Sequence, residues 1–461
     1  MRPPCGRGIS RRSFVVAGAG LAGLTLADLL RADDAAPKKG SPKSILNIHL
    51  DGGPPQHDTI DPKPDAPEEI RGDLKPIKSK LSGVHLCELM PRVAALADRF
   101  VFLRSLVGST GQHDAFQTQC GWDAKSIANV GGRPAMGSVV AKLFGKPNDT
   151  VPPFVDIMQG RPLVRNSARP GYLGPAFAPF RPDISDKFPR ELEEGMKVEL
   201  QNAAARPSLQ LSLVDGLTPD RLADRQSLLN RFDDIRREVD QSGTMEALDQ
   251  FGQQAVSILT SGKLAKALSW DDEPESVVKL YTPTASNLAK FETGEDENSA
   301  KKLLLARRLL EAGVRCVSVS FSDFDTHSQN FPRMKKLVPI VDHALAALVT
   351  DLSDRGMLND VAIVVWGEFG RTPKVGKDGG RDHWPEVGPA LLAGAGWKAG
   401  QVIGATDKNG GKVTDRPVSY EDVFATLYQT LGVDARKTHL KDPSGRPQAL
   451  LDAGTPIKEL M

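Results

Sequence analysis

The stretch SILNIHLDGGPPQHDTIDPKP, residues 44–64, decides how the rest of the chain is read. An apolar run from Ile45 to Leu50 stops abruptly at Asp51, followed by two glycines and two prolines. A buried parallel strand that ends this way delivers a carboxylate to the carboxyl edge of an α/β sheet, the edge where such folds place their chemistry. Taken alone, Asp-Gly-Gly reads more readily as an ordinary turn. The other strand exits decide between the two readings.

Composition sets the bounds. With 461 residues, 40% of them apolar and 25% charged, the chain can build a large core, as one large α/β domain or two smaller ones. Its 59 basic and 58 acidic residues leave a formal charge of +1 with no long basic run, so no nucleic-acid partner is drawn by charge. Cys5, Cys87, Cys120 and Cys316 are scattered without a C-x-x-C pair, so neither a zinc knuckle nor a disulfide framework is visible in the sequence.

The compartment is read from Ser10-Arg11-Arg12-Ser13-Phe14-Val15-Val16 and the small-residue apolar segment Ala17 to Leu30 behind it. That segment is short for a bilayer span and is placed like the apolar core of an export signal. The paired arginines before Phe14 resemble the twin-arginine signal, which hands already folded proteins to an export machinery. Residues 1–40 are therefore expected to be signal and linker. The protein is expected to be periplasmic or extracellular, membrane-anchored if the signal stays uncleaved, with no membrane span in the mature domain of residues 41–461.

Along that domain, helical spacing over Pro91 to Phe100 leads into a buried strand, Val101 to Val107. The strand exits through Gly108-Ser109-Thr110-Gly111-Gln112-His113 before a short helix, Ala115 to Cys120; hydroxyls placed there either cap the helix or act as nucleophiles. A helix at Pro134 to Leu143 and a strand near Phe154 to Met158 continue the alternation. Arg161 to Phe180, rich in glycine and proline, reads as an irregular surface loop. From about 185 to 297 the strand signal thins and helices are expected at Thr218–Val239, Met245–Leu259 and Leu264–Trp270, a helical insertion in the α/β core.

Alternation then resumes. A helix from Ala300 to Ala312 precedes Val314 to Phe321, which exits into Ser322-Asp323-Phe324-Asp325-Thr326-His327. After a helix from about Met334 to Leu352, broken near Pro339, the strand Val361 to Trp366 exits into Gly367-Glu368-Phe369-Gly370-Arg371, and Gly380-Arg381-Asp382-His383 follows. Three strand exits on one sheet edge and one later loop thus carry Asp51, Asp325 with His327, Glu368 and His383, and carboxylates with imidazoles are the ligands of one or two divalent metals. Singly, each has a bland alternative: a helix cap at His327, pairing of Glu368 with Arg371, pairing of Asp382 with Arg381.

The blocks LDGGPPQHDTIDPKPDAPEEIRG (50–72), GYLGPAFAPF (171–180), FDTHSQN (324–330), GEFGRTP (367–373), GRDHWP (380–385) and GQVIGATD (400–407), with the closing RPVSYEDVFATLYQTLGVD (416–434), resemble the secreted family called domain of unknown function 1501. That family is similar to the alkaline phosphatase and sulfatase superfamily. The resemblance implies a three-layer α/β/α sandwich with a mostly parallel central sheet and two metals at its carboxyl edge, here interrupted by the helical insertion.

Residue by residue, the resemblance implies that Asp51 and Glu368 serve one metal, and Asp325 (or Asp323), His327 and His383 the other. Phe369 stands where a histidine completes the first set, which points to a single-metal or altered centre. The implied nucleophile lies near Ser109 and Thr110; no C/S-x-P-x-R motif occurs, so a formylglycine is not expected. His113 would protonate a leaving group or make a structural hydrogen bond, and Arg371 would stabilise charge on the transferred group. His57 and Asp58 stand as supports behind the ligands. The expected cofactor is one or two divalent ions, zinc or manganese ahead of calcium or magnesium, and the expected substrate a small-molecule or glycan ester of phosphate or sulfate. Two rivals are an inert metal-binding envelope protein recognising an anionic glycan or surface partner, and a structural protein whose polar cluster is an internal salt-bridge network.

Overall fold

Strand β1, Ser44–Leu50, occupies the interior of an eight-stranded sheet in this computed structural model. The structure describes residues 44–113, 116–122, 132–160, 168–189, 252, 254–255, 257–259, 261–283 and 295–461. The signal segment, the expected helix at 218–239 and most of that at 245–259 lie outside the described residues. The remaining sheet strands are β2 (Phe100–Val107), β3 (Phe154–Ile157), β4 (Cys316–Phe321), β5 (Val361–Trp366), β6 (Gly388–Gly394), β7 (Gln401–Ile403) and β8 (Val418–Ser419).

Their order is β7-β2-β6-β5-β1-β4-β3, with β8 also on β2. Only β6 runs antiparallel to its neighbours; the other pairings are parallel. The exits of β1, β2, β4 and β5 therefore lie on one edge, and the reversed β6 starts from that edge. The strand readings at 45–50, 101–107, 314–321 and 361–366 agree with the structure because strands covered on both faces are apolar along their length.

Helices cover both faces. Leu46, Ile48 and Leu50 of β1 pack into one core with Leu303, Leu304 and Leu309 of α4 (Lys301–Glu311) and Val341, Leu345 and Leu348 of α5 (Asn330–Asp354). Ile45, one register step away, belongs to the opposite core with Val139 and Val140 of α3 (Met136–Phe144) and Val423, Phe424 and Leu427 of α6 (Tyr420–Thr430). Each such fully buried side chain contributes about 1.5–3 kcal/mol, and the two cores make the expected three-layer α/β/α sandwich. No described helix is long and apolar enough to cross a membrane.

Two helix boundaries show their causes. α6 starts at a capping box: Ser419 Oγ accepts from Asp422 N–H at 3.1 Å while the Asp422 carboxylate accepts from Ser419 N–H at 2.8 Å, an arrangement whose cap contributes about 1 kcal/mol. The break expected near Pro339 is absent, and α5 runs as one helix through it. Pro339 is half-buried, and the carbonyl it leaves without a donor belongs to Lys335, an exposed residue whose carbonyl water can reach. In the region of the expected insertion, the described residues hold two short helices, Lys263–Ala267 and Glu275–Leu280. Between 168 and 180, read as an irregular loop, the chain makes two 3-10 turns and buries Ala168 and Tyr172.

Candidate metal centre

Three neighbouring strands, β5, β1 and β4, bring Glu368, Asp51 and Asp325 together. The junction is tight. Gly52, at φ +105, has no room for a Cβ, which would stand 2.3 Å from the backbone nitrogen of Asp325; a Cβ on Gly53, at φ +80, would enter the ring of Phe369. These two positions therefore demand glycine for both conformation and contact. Gly52 N–H donates to Glu368 Oε1 at 2.9 Å, tying the exit of β1 to that of β5.

His383 arrives on a short ribbon in which Arg371 pairs with it across the strands. Its Nδ1 is 2.9 Å from the Gly111 carbonyl, which can only accept, so Nδ1 carries the hydrogen. In the same way His327 Nδ1 meets Asp382 Oδ1 at 2.7 Å. Both rings are thereby turned so that their Nε2 atoms face each other at 3.1 Å. Asp325 Oδ1 stands 3.1 Å from His327 Nε2 and 3.4 Å from His383 Nε2. Two imidazole nitrogens with fixed tautomers and a carboxylate oxygen, converging on one point at a solvent-facing edge, fit the donor set of a catalytic divalent metal, including the outer partners that aim the rings.

His113 joins this outer group to a second, buried one. Its Nε2 is 3.0 Å from Asp325 Oδ2 and its Nδ1 3.0 Å from Glu368 Oε1. Burial alone would lower its pKa, but hydrogen bonds to Asp325 and Glu368 prevail and raise it to about 9, so the ring is an imidazolium at neutral pH. Asp325 is held well below the usual carboxylate range: burial opposes this, and hydrogen bonds from His113, His383 and Arg371 outweigh it. The buried group consists of Asp51, Glu368 and His49. Burial pushes the His49 pKa down and keeps that ring neutral.

The other expected residues fall around these groups. Arg371 is fully buried and spends its guanidinium on Asp325 Oδ1 at 2.7 Å, on the carbonyls of Arg381 at 2.9 Å and Gly53 at 3.2 Å, and on the carbonyl of Gly52. It holds a carboxylate and two backbone segments, the Gly52-Gly53 turn and Arg381, in place. Ser109 Oγ donates to the Glu368 carbonyl at 2.5 Å, whereas Thr110 is exposed at the same strand exit. Asp325 rather than Asp323 stands in the cluster; Asp323 takes a left-handed turn conformation, φ 77. Asp58 binds Arg381 at 3.1 Å and Asn330 at 2.7 Å, bracing the segments that carry His383 and His327, and His57 Nε2 meets the Asn409 carbonyl at 2.7 Å.

Neither bland pairing forms. Arg381 turns to Asp58 and Asp382 to His327, because adjacent residues of an extended segment point to opposite sides. His49 is the one cluster member that sequence reasoning overlooked. Its signal was an alternation, Asn47, His49 and Asp51 against Leu46, Ile48 and Leu50, inside what reads at first as a uniform apolar run. Asn47 is satisfied by Trp366 Nε1 at 2.8 Å and the Thr118 carbonyl at 2.7 Å.

Fold and site together define an α/β/α protein with a carboxylate and imidazole constellation at the carboxyl edge of its sheet. The chain belongs to the family described as "Protein of unknown function (DUF1501)", whose model it matches over residues 42–461. No curated protein matches the sequence. Among solved structures it is similar to the PsFucS1 sulfatase from Pseudoalteromonas sp., at 13% identity over 92% of this chain and 72% of that one, with a TM-score of 0.38. It is also similar to the phosphonate monoester hydrolase of Agrobacterium radiobacter, at 15% identity over 91% and 77% with a TM-score of 0.34. It is similar as well to the lipoteichoic acid synthase LtaP from Listeria monocytogenes, at 10% identity over 88% of this chain and 78% of that one, with a TM-score of 0.34. These likenesses are of backbone course and say nothing of which residues react.

Proposed function

We infer that this protein is a metal-dependent hydrolase of phosphate or sulfate esters that works outside the cytoplasm, exported by the twin-arginine route on the strength of Arg11 and Arg12. The observation that carries the reading is the outer cluster: His327 Nε2, His383 Nε2 and Asp325 Oδ1 within 3.4 Å of one another, each imidazole locked by an acceptor on its other nitrogen. The two imidazole donors favour zinc over magnesium or calcium, and the carboxylate admits manganese as the alternative. A divalent ion bound there supplies Lewis-acid charge for the group being transferred.

The chain's own residues do the rest. Thr110, exposed at the exit of β2, offers a hydroxyl as nucleophile, with water as its substitute, while Ser109 is committed to the Glu368 carbonyl. His113 holds a proton at neutral pH between Asp325 and Glu368, ready for a departing alkoxide. Arg371 fixes Asp325 from behind. The substrate is an ester small enough, or a glycan end exposed enough, to reach a half-exposed His327.

The test is metal analysis of the purified full chain, followed by a panel of chromogenic phosphate monoesters, phosphate diesters and sulfate esters. Turnover that disappears with chelator and in His327→Ala is the expected result; bound zinc with no turnover on any ester sinks the hydrolase reading. A second reading, an inert metal-binding protein, is favoured by Arg371, whose inward guanidinium leaves it engaged with backbone rather than facing an anion. It predicts that second outcome.

A further inference from the structure

The outer cluster takes its imidazoles from two segments remote in the chain, His327 from the exit of β4 and His383 from the ribbon after β5, yet their Nε2 atoms stand 3.1 Å apart. What fixes that spacing lies underneath. The two segments touch backbone to backbone: Arg381 N–H donates to the Thr326 carbonyl at 2.9 Å, and a Cβ on Gly380 would overlap the His327 carbonyl. Both segments then reach one carboxylate that belongs to neither, Asp58 in the loop after β1. Asn330, the first residue of α5, donates from Nδ2 to Asp58 Oδ2 at 2.7 Å, and Arg381 Nε donates to the same oxygen at 3.1 Å. The Thr326 hydroxyl donates to Asn330 Oδ1 at 2.7 Å, which leaves the amide nitrogen for a carboxylate that can only accept. Asp58, Thr326, Asn330 and Arg381 are all 0% exposed. Water therefore competes for none of these bonds, and each is costly to leave unmade.

We propose that Asp58 is a positioning residue whose Oδ2 sets the separation of His327 and His383, and through it the preference of the outer cluster for zinc over manganese. The proposal rests on the reading of that cluster as a metal centre and adds what selects the ion. His327 Nε2, His383 Nε2 and Asp325 Oδ1 lie 3.1–3.4 Å from one another. Tetrahedral zinc, with bonds of about 2.0–2.1 Å, needs donors about 3.3 Å apart. The empty triangle already has that size. It keeps the size because one oxygen grips the His327 side through Asn330 and the His383 side through Arg381. Cutting either arm lets the triangle widen, and the ion that demands the narrow one loses most. Manganese, content with carboxylate and water oxygens, depends less on the two rings.

The experiment measures zinc and manganese affinities of the full chain by competition with a chromogenic chelator, beside a thermal melt of the metal-free protein. Asn330→Ala cuts the arm on the His327 side and leaves the Asp58–Arg381 pair in place. Zinc affinity should fall about 10–100-fold while manganese affinity hardly changes, so the ratio of the two falls with zinc. X-ray absorption of bound zinc should show two imidazoles in the unaltered chain and one in Asn330→Ala. Thr326→Val, which removes only the hydroxyl that orients the amide, should lower the ratio in the same direction, and it decides the matter should Asn330→Ala not fold. Trp397→Phe removes a buried hydrogen bond to Thr430 Oγ1, 3.1 Å long, in the opposite core; it should lower the melting temperature and leave the ratio alone. An unchanged ratio in the folded Asn330→Ala or Thr326→Val chain, equal losses for both ions, or an unaltered chain that prefers manganese overturns the positioning role and leaves the proposed hydrolase standing. An unaltered chain that binds neither ion overturns both.

Discussion

Phe369 lies stacked on His383, the ring centroids 4.2 Å apart and the planes inclined by 27°. The same ring closes over Gly53 and sits 5.3 Å from the guanidinium carbon of Arg371. Where a metal ligand was expected from the superfamily pattern, the chain has a flat apolar support for one. Phe369→Leu keeps most of the volume and loses the face. We expect a stability cost below about 1.5 kcal/mol and a roughly tenfold loss of zinc affinity, checked by urea unfolding and by competition with a chromogenic chelator.

Asp382 acts on the outer cluster from the solvent side, its carboxylate 76% exposed and 2.7 Å from His327 Nδ1. Asp382→Ala should leave the melting temperature of the metal-free protein unchanged, since little is buried. Zinc affinity should fall about 10–100-fold because the ring loses the partner that fixes its tautomer. Equilibrium dialysis beside a thermal melt separates the two effects.

Arg371 is a different case, buried and bonded to a carboxylate and three carbonyls. Arg371→Met removes one partner of a buried ion pair and should cost about 3–5 kcal/mol in urea unfolding. Arg371→Lys restores charge but not the planar fork that reaches several acceptors at once, and should recover only part of the loss.

Acid stability has two opposed contributors that belong to neither cluster. Burial, reinforced by the charge of Arg381, pushes His57 down from 6.5 to about 4. The unfolded chain therefore binds the proton first: stability from this residue is full above pH 6.5 and falls as pH drops toward 4, by about 1.4 kcal/mol per pH unit. Burial raises Asp342 from 3.8 to about 6 despite its hydrogen bonds from the N–H groups of Val93 and Arg92 at the start of helix α1, Pro91–Ala95. Its contribution is full below pH 3.8 and is lost as pH rises to 6. Relative to the unaltered chain, His57→Leu should gain stability as pH falls from 6.5 to 4, and Asp342→Asn should gain it as pH rises from 4 to 6. Urea midpoints at half-unit pH steps check both signs.

The strands and their polar exits were legible because a buried parallel strand is uniformly apolar until it ends, and Asp51, Asp325 and Glu368 stand just past such ends. Adjacency of β5, β1 and β4 was not legible, since it depends on pairings between positions as remote as Leu46 and Val317 or Ile363. The reversed β6 escaped notice because GPALLAG is short and glycine-bounded. His49 was hidden for a subtler reason: its polar side chain is fully buried, and only the alternation with Ile48 and Leu50 marks it. The inward commitment of Arg371 depends on backbone carbonyls, which carry no sequence signature.

The central position of β1 also has a price in time. Ile45 pairs with Cys316 on one side and Ala362 on the other, so its first neighbour is made about 270 residues after it. At roughly 5–20 residues per second of synthesis, β1 waits on the order of 15–50 s without a partner on either edge. Until β4 and β5 leave the ribosome, the peptide that bears Asp51 is an unpaired adhesive ribbon. A chain ending before Glu368 lacks both Glu368 and His383, one residue from each of the two groups.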